Sequence, residues 1–458
     1  MTTTRRISWI AILLLGAVGC EQQAASLNRL APATASENAQ ARTAGGDCDG
    51  LPTAPESQRV DLYTPAFPHP TRVTNPLFPI ARLDRVLMLG NSHGEALRVE
   101  TTLLARNRII ELGNGRRVEA LVSQYMSWVD GRIHEVALDW YTQDDKGAVW
   151  YLGEDVFNYE SGRIADRNGT WLAGRDGPAA MIMPASPRVG DVWRPENICG
   201  FVFEEVIATE IGVTVPGPRG PVPGALRVRE LHMDGTFEDK TFAPGYGEFS
   251  TGSGANLEAV ALAVPIDARS GPAPNELKSM SRQAAKIFRA ARARRWDAAS
   301  DALEDLIEAW ERLEAHGVPA SLVAPTDAAL EALSESVEAR NAAGARQASI
   351  DAARATLDLR LVYRPRAEID LAHLELWGLQ LVVDAEARDR DAIRGDLASI
   401  RWIRSRFTRP NQGDVDRRLD DLESSADSGD PDATNARAEQ LSASLARIGV
   451  SEADASFR

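Results

Sequence analysis

The residues best suited to chemistry are two acids on neighbouring predicted strands, Asp139 and Glu154. Two carboxyl groups can divide acid and base work between them, as in glycoside hydrolysis, where they flank the scissile bond. Nearby tryptophans could supply faces for stacking on sugars: Trp128, Trp140, Trp150 and Trp171. The competing interpretation is that the acids meet cross-strand partners or solvent and that the tryptophans belong to the core. We therefore keep Asp139, Glu154 and Trp150 as a candidate acid or ligand cluster and assign no catalytic residue.

The histidines form no metal or haem motif. They never occur as H-x-x-x-H or H-E-x-x-H, and no C-x-x-C-H is present, which excludes zincin and covalent haem patterns. G-x-S-x-G, the Walker A motif and a strand-linked G-x-G-x-x-G are also missing. One acidic group with a histidine lies on a predicted helix: Asp370, His373, Glu375 and Asp384. Only the first two share a helix face, so we predict no metal site and no cofactor.

The N-terminus has the pattern of an export signal. Arg5 and Arg6 precede an apolar run from Ile7 to Val18, which is shorter than the ~20 residues that a membrane span requires. The run ends in Leu15-Gly-Ala-Val-Gly19-Cys20, which resembles the lipobox of bacterial lipoproteins, although Ala17 stands where that family usually has Leu. The resemblance implies that residues 1–19 are removed and that Cys20 is acylated. The alternative is an ordinary secretory signal followed by a chance cysteine.

Residues 20–58 are polar and rich in Ala, Ser, Thr, Gln and Gly. They carry too little apolar surface to offset the entropy of ordering, so we expect a flexible lipidated tether. Its membrane partner would be reached through the lipid, because no other run of the sequence is long enough to span a bilayer. The expected location is the bacterial cell envelope, facing the periplasm or exterior. The lipoprotein resemblance implies sorting to the outer membrane, because Glu21 rather than Asp follows the cysteine.

Two cysteines remain once Cys20 is set aside, Cys48 and Cys199. An even number in an oxidising compartment favours a disulfide between them. Two free thiols remain an alternative. A metal site that uses both cysteines is another alternative, but such a site would require further Cys or His ligands nearby.

Charge excludes one class of partner. The chain of 458 residues has a formal net charge of −15, whereas a surface that binds phosphates needs a positive field. We therefore expect no nucleic-acid partner.

Residues 59–268 are predicted to form an antiparallel β-rich meander. Turn pairs recur at near-even spacing, and glycine after Asn or Asp is typical of hairpin turns; the pairs include Asn114-Gly115, Asp130-Gly131, Lys146-Gly147 and Ser161-Gly162. The segments between them are rich in β-branched and aromatic residues. In the strand after Gly147, apolar residues fall on both faces, so both faces should be covered. Simple alternation places Trp150, Leu152 and Val156 on one face and Tyr151 and Phe157 on the other.

Several phrases of this region resemble a family of exported bacterial proteins of unknown function. They include Asn75-Pro-Leu-Phe-Pro79, Gly147-Ala-Val-Trp-Tyr-Leu-Gly-Glu154, Gly169-Thr-Trp-Leu-Ala-Gly174 and Phe242-Ala-Pro-Gly-Tyr-Gly247. The resemblance covers most of residues 65–265. It implies a β-rich exported domain and carries over no catalytic residue.

From about residue 269 the hydrophobic period becomes helical. Leu303, Leu306 and Trp310 are one apolar stripe, and Ile393, Leu397 and Ile400 are another. Turn residues divide the region into about six helices, with Thr326 expected at a helix start. Residues 269–458 are thus predicted to be an all-α bundle.

Three functions follow as expectations. The first is a non-catalytic envelope lipoprotein, a scaffold or a module that binds another envelope protein, a small apolar ligand or a glycan. The second is a periplasmic hydrolase that acts on glycan through Asp139 and Glu154. The third is a carrier of a small ligand or metal.

Overall fold

A computed structural model describes residue 48 and residues 50–113, 115–406 and 412–448. Cys20 and the predicted signal and tether before Cys48 therefore lie outside the described residues, as does Asn114 of the first hairpin turn. Among the described helices, none is long and apolar enough to cross a membrane.

The first half of the chain is one antiparallel sheet. Its strands are β1 (Arg85–Ser92), β2 (Glu95–Glu111), β3 (Arg117–Val129), β4 (Arg132–Gln143), β5 (Val149–Glu160), β6 (Arg163–Asp166), β7 (Trp171–Leu172), β8 (Ala180–Met183), β9 (Val192–Ile198), β10 (Val202–Gly217), β11 (Gly220–His232), β12 (Phe237–Ala243), β13 (Gly247–Thr251) and β14 (Glu258–Val264). The order is β6-β5-β4-β3-β2-β1-β14-β13-β12-β11-β10-β9, and β7 and β8 both pair with β5. Within that order every pair of neighbours except β1 and β14 is also consecutive in sequence, which confirms the predicted meander.

The sheet curves so that its two ends approach each other. The indole N–H of Trp193, on β9 at one end, donates to the carbonyl oxygen of Ile182 on β8, which pairs with β5 near the other end. Sheets twist with a fixed hand, and a long sheet tends to curl as the twist accumulates. The curvature gives the sheet a concave inner face and a convex outer face.

The second half is helical. Its elements are α1 (Asn275–Arg292), α2 (Trp296–Glu314), α3 (Ala320–Glu338), α4 (Ala342–Arg360), α5 (Arg366–Ala387), α6 (Arg390–Arg404), α7 (Gln412–Ser428) and α8 (Pro431–Ile448). The described chain thus has eight helices rather than about six. Thr326 does not start a helix but lies inside α3, where its hydroxyl donates to the carbonyl oxygen of Leu322. Helix α3 begins at Ala320, with Pro319 as the residue that caps its N-terminus. Arg294 adopts a left-handed φ of 55° between α1 and α2, a break that neither Gly nor Pro announces.

Helices cover the convex face. Phe157 on β5 meets Trp402 on α6 edge to face, with ring centroids 4.8 Å apart. Trp128 on β3 stacks on Trp377 of α5 and donates from its indole N–H to Ser399 Oγ. Buried residues of these strands and helices therefore share a hydrophobic cluster, and the expectation of cover on the outer side of β5 is confirmed. The change from strands to helices falls between Val264 and Asn275.

Buried ion pairs tie this interface together. Arg85 of β1 contacts Asp370 of α5 at 2.6 Å and Glu100 of β2 at 3.0 Å. Arg406, just after α6, contacts the same two carboxylates at 2.7 and 2.9 Å. All four side chains are at most 1% exposed. We call these four residues the charge clip, because they join sheet and helices through fully paired charges.

The predicted disulfide is present. Cys48 and Cys199 are joined with a Cα–Cα distance of 5.3 Å, within the usual range for such bonds. The bond links the chain just before the strands to the turn between β9 and β10.

Candidate functional site: an acidic concave face

Asp139 and Glu154 lie directly opposite each other on β4 and β5. Simple alternation would not have put them on one face. Tyr141 pairs with Tyr151 on the inner face, and the residue two positions further along β5, which alternation would turn inward next, is Gly153 rather than Glu154. A bulge inserts one extra residue into β5 at that point. Gly153 has a φ of 116°, and a Cβ there would lie 2.2 Å from the carbonyl oxygen of Trp171. The bulge therefore requires glycine, and it is what turns Glu154 inward beside Asp139.

The same bulge corrects the predicted faces of β5. Val156 pairs with Ala137 and so shares the inner face with Tyr151, whereas Phe157 pairs with Val136 on the outer face. Alternation had placed Val156 with Trp150 and Phe157 with Tyr151. The prediction was wrong because one added residue exchanges the two faces for the rest of the strand.

A third carboxyl group joins the pair from the far end of the sheet. Glu196 of β9 comes close enough to Glu154 for each carboxyl group to shift the pKa of the other, and the indole N–H of Trp171 donates to Glu196 Oε1 at 3.1 Å. The hydroxyl of Tyr151 donates to Asp139 Oδ1 at 2.8 Å. Carboxyl groups gathered at one buried site disfavour ionisation of one another. This cluster therefore carries less negative charge than its three acids would in water.

Burial raises the pKa values of these acids. For Asp139 it is the main cause of a pKa of about 7; the Tyr151 hydrogen bond lowers that pKa and Glu135 raises it. The pKa of Glu154 is raised well above its ordinary value, first by burial and then by the charges of Glu196 and Asp139. Near neutral pH the cluster thus contains both protonated and ionised carboxyl groups, the mixture that acid–base chemistry and hydrogen-bonded recognition both use.

Further acids extend the cluster over the inner face. The charges of Glu135 on β4, Glu258 on β14 and Glu248 on β13 all raise the pKa of Tyr125 on β3. These groups therefore face each other across the concavity. Burial and neighbouring acids raise the pKa of Glu135 to about 7 and that of Glu258 to about 8. We define the acidic face as these nine residues: Glu135, Asp139, Glu154, Glu196, Glu204, Glu230, Glu238, Glu248 and Glu258.

Two basic side chains accompany these acids, Lys240 and His232. Lys240 Nζ lies 2.7 Å from Glu230 Oε1, and although burial opposes its charge, Glu230, Glu248 and Glu204 raise its pKa well above the ordinary value. The side chains of Glu204 and His232 stay 26% and 29% exposed. Because these two side chains lie on the concave face and keep this exposure, they line a wall that is open to solvent.

Trp150 does not belong to this face. Its indole N–H donates to Asp144 Oδ2, and its ring meets Tyr63 edge to face. Trp128, Trp140, Trp150 and Trp171 are all at most 3% exposed, so the tryptophans are core residues and none presents a stacking surface. The aromatic rings beside the acids are instead those of Tyr141 and Tyr151, stacked with centroids 4.9 Å apart.

The three acids of the helical acid–histidine group have partners within the protein. Asp370 is held by Arg85, Arg366 and Arg406, so its oxygens already face three cations. Asp384 accepts from Arg132 and from Gln380. Glu375 is also engaged in contacts within the protein.

Sequence reasoning missed Glu196, Glu204, Glu230 and His232. Glu230 and His232 are two residues apart on β11 and therefore share a face, a signal that was readable from the sequence. Glu196 had no such signal, because only the closing of the sheet brings β9 to β5.

Comparison with known proteins assigns no family to this chain. No family model matches this chain, and neither does any curated protein. The resemblance of residues 65–265 to exported proteins of unknown function stays a prediction.

Proposed function

We propose that the chain is a non-catalytic, lipid-anchored binding protein of the bacterial cell envelope, with its ligand on the acidic face. The anchor at Cys20 and the envelope location are supported by the N-terminal sequence pattern. The single observation that supports binding is the excess of acidic over basic side chains on the acidic face, where Lys240 and His232 accompany nine carboxyl groups. Buried polar groups are costly without partners, so such a face is favourable when a ligand supplies them.

The ligand class follows from this chemistry. Protonated carboxyl groups donate hydrogen bonds and ionised ones accept them, which suits a molecule rich in hydroxyl groups. The partly exposed ring of Tyr141 adds apolar surface near Asp139. A glycan fragment satisfies both features better than a small apolar ligand does.

Native mass spectrometry of the full chain, exported with its own signal and purified in mild detergent, tests this function. We expect a mass above that of the lipidated polypeptide, or binding of added cell-wall glycan fragments. Either should disappear in the double variant Asp139→Asn, Glu154→Gln, which keeps the shape of both side chains. Glu160→Gln is the matched control, because Glu160 is an exposed acid at the end of the same strand. A bare protein that binds no fragment would show the proposal to be wrong.

A second function is favoured by one observation, the Asp139–Glu154 pair itself. Directly opposed residues have Cβ atoms about 4.5–5.5 Å apart, and a glycosidase of the retaining type holds its carboxyl groups at about 5–5.5 Å. One observation argues against hydrolysis. Asp139 and Tyr151, whose hydroxyl donates to it, are each only 6% exposed, so a scissile bond has little room to reach the Asp139 carboxyl group. Turnover of a cell-wall glycan that Glu154→Gln abolishes and Glu160→Gln preserves would favour the hydrolase.

A further inference from the structure

We propose that Glu204, Glu230 and His232 form a binding site for a divalent transition-metal ion such as Zn²⁺. Glu204 on β10 is the cross-strand partner of His232 on β11, and Glu230 precedes His232 by two residues on the same strand. Adjacent strands and a spacing of two therefore point all three side chains to the inner face. The proposed metal site needs no glycan and shares no residue with the Asp139–Glu154 pair.

The donor atoms are close enough to share one ion. One ligand atom from each of the three residues lies within 4.8 Å of the others. His232 Nδ1 is 3.7 Å from Glu204 Oε1, and Nε2 is 3.7 Å from Glu230 Oε1. The two 3.7 Å contacts use different ring nitrogens, and one ion binds only one of them. With metal–ligand bonds of about 2.0–2.2 Å, two tetrahedral ligands stand roughly 3.4 Å apart, so side chains whose ligand atoms lie within 4.8 Å must rotate to bring one ring nitrogen and both carboxylates onto the ion.

Acidic side chains stand on both sides of the His232 ring. Carboxylate oxygens stand at 3.7 Å from both ring nitrogens, those of Glu204 on one side and of Glu230 and Glu238 on the other. A hydrogen bond would require about 2.7–3.2 Å. One imidazole with carboxylates is a ligand set that divalent ions such as Zn²⁺ bind. Glu238, 3.7 Å from His232 Nε2, is near enough to supply a fourth ligand.

Lys240 is the competitor for this position. Its Nζ pairs with Glu230 Oε1 at 2.7 Å, so a metal ion that takes this oxygen must displace the ammonium group. The competition predicts a variant that improves binding. Lys240→Met removes the charge and keeps the length of the side chain, and it should therefore tighten metal binding.

The test uses the full chain stripped with a chelator and titrated with Co²⁺, whose absorption spectrum reports its ligands, and with Zn²⁺ by calorimetry. We expect stoichiometric binding that His232→Ala or Glu230→Gln weakens by at least about tenfold, since loss of even outer partners of a metal costs about 10–100-fold. His93→Ala is the control, because His93 is an exposed histidine in the β1–β2 turn.

Folding of each variant is checked by its thermal unfolding transition. Absence of uptake by the stripped wild-type chain, or uptake unchanged in both His232→Ala and Glu230→Gln, would overturn the site. A weaker complex in Lys240→Met would contradict the competition with Glu230. The double variant Asp139→Asn, Glu154→Gln should bind Co²⁺ normally, so failure of the metal site and failure of the glycan site are separate outcomes.

Discussion

The two faces of the sheet bury carboxyl groups in opposite ways. On the convex face, burial opposes ionisation of Glu100, but Arg85, Arg406 and Arg98 outweigh it and hold its pKa well below the ordinary value. On the concave face, burial and neighbouring acids both raise the pKa of Glu154. Paired charges join two parts of a fold, whereas acids gathered with few cations favour an incoming partner. The comparison thus separates a structural interface from a candidate binding surface.

The largest expected effect comes from breaking the charge clip. Arg406→Met leaves Glu100 and Asp370 each without one of its arginines, and the loss of one partner from a buried pair costs about 3–5 kcal/mol. Urea unfolding measures this change. The control is Arg163→Met, whose partner Asp427 and own side chain are 42% and 56% exposed, and which should cost at most about 1 kcal/mol. Equal losses in the two variants would show that the charge clip is no more structural than a surface pair.

A smaller effect is expected at the β5 bulge. Gly153→Ala forces a side chain into a left-handed backbone position against the Trp171 carbonyl, and such strain costs about 1–3 kcal/mol. The variant should also move Glu154 and so reduce ligand binding. Gly131→Ala has a similarly positive φ of 74° but open space around it, so it should be milder and leave binding intact. Normal binding in Gly153→Ala would mean that the bulge does not position the site.

The smallest expected effect is a difference in pH dependence. Asp139 has a pKa of about 7 when folded and about 3.9 when unfolded, so its contribution to stability is full below about pH 4 and is lost as the pH rises to about 7. The lowered pKa of Glu100 acts in the opposite sense, because its contribution is present above about pH 4 and is lost on acidification.

Urea unfolding at about pH 5 and about pH 8 measures the effect of Asp139, and a further measurement at about pH 3 measures the opposite effect of Glu100, with at most about 1.4 kcal/mol per pH unit for each group. Asp139→Asn should lose less stability than the wild type between the two values, and Glu160→Gln should match the wild type. An unchanged pH profile in Asp139→Asn would show that this carboxyl group is not held neutral.

Local patterns predicted much of the fold. Hairpin turns such as Asp130-Gly131 marked the meander, and stripes such as Leu303, Leu306 and Trp310 marked buried helix faces. The break at Arg294 was missed because a left-handed arginine depends on its surroundings rather than on its own preference. Cys48 and Cys199 were paired correctly from their number and the expected compartment.

The candidate site was only half predictable. Asp139 and Glu154 were found as neighbours on adjacent strands, but their common face depends on one bulged glycine. Glu196 joins them through closure of the sheet, which brings together residues 42 positions apart in numbering (154 to 196). Trp150 was included because aromatic rings near acids suit sugar binding, whereas its ring packs against Tyr63 in the core.

The disulfide also determines how the molecule bears load. Cys48 and Cys199 are 151 residues apart in the chain, so a pull on the segment before Cys48 divides at that residue between the backbone that follows it and the sulfur bridge to the β9–β10 turn. The strands from β1 to β9 lie inside the covalent loop, and the bridge gives part of the force a path around them. That part enters the sheet beside Glu196 and Glu204, at the rim of the acidic face. Stretching the N-terminal segment therefore loads the acidic face as well as the first strands.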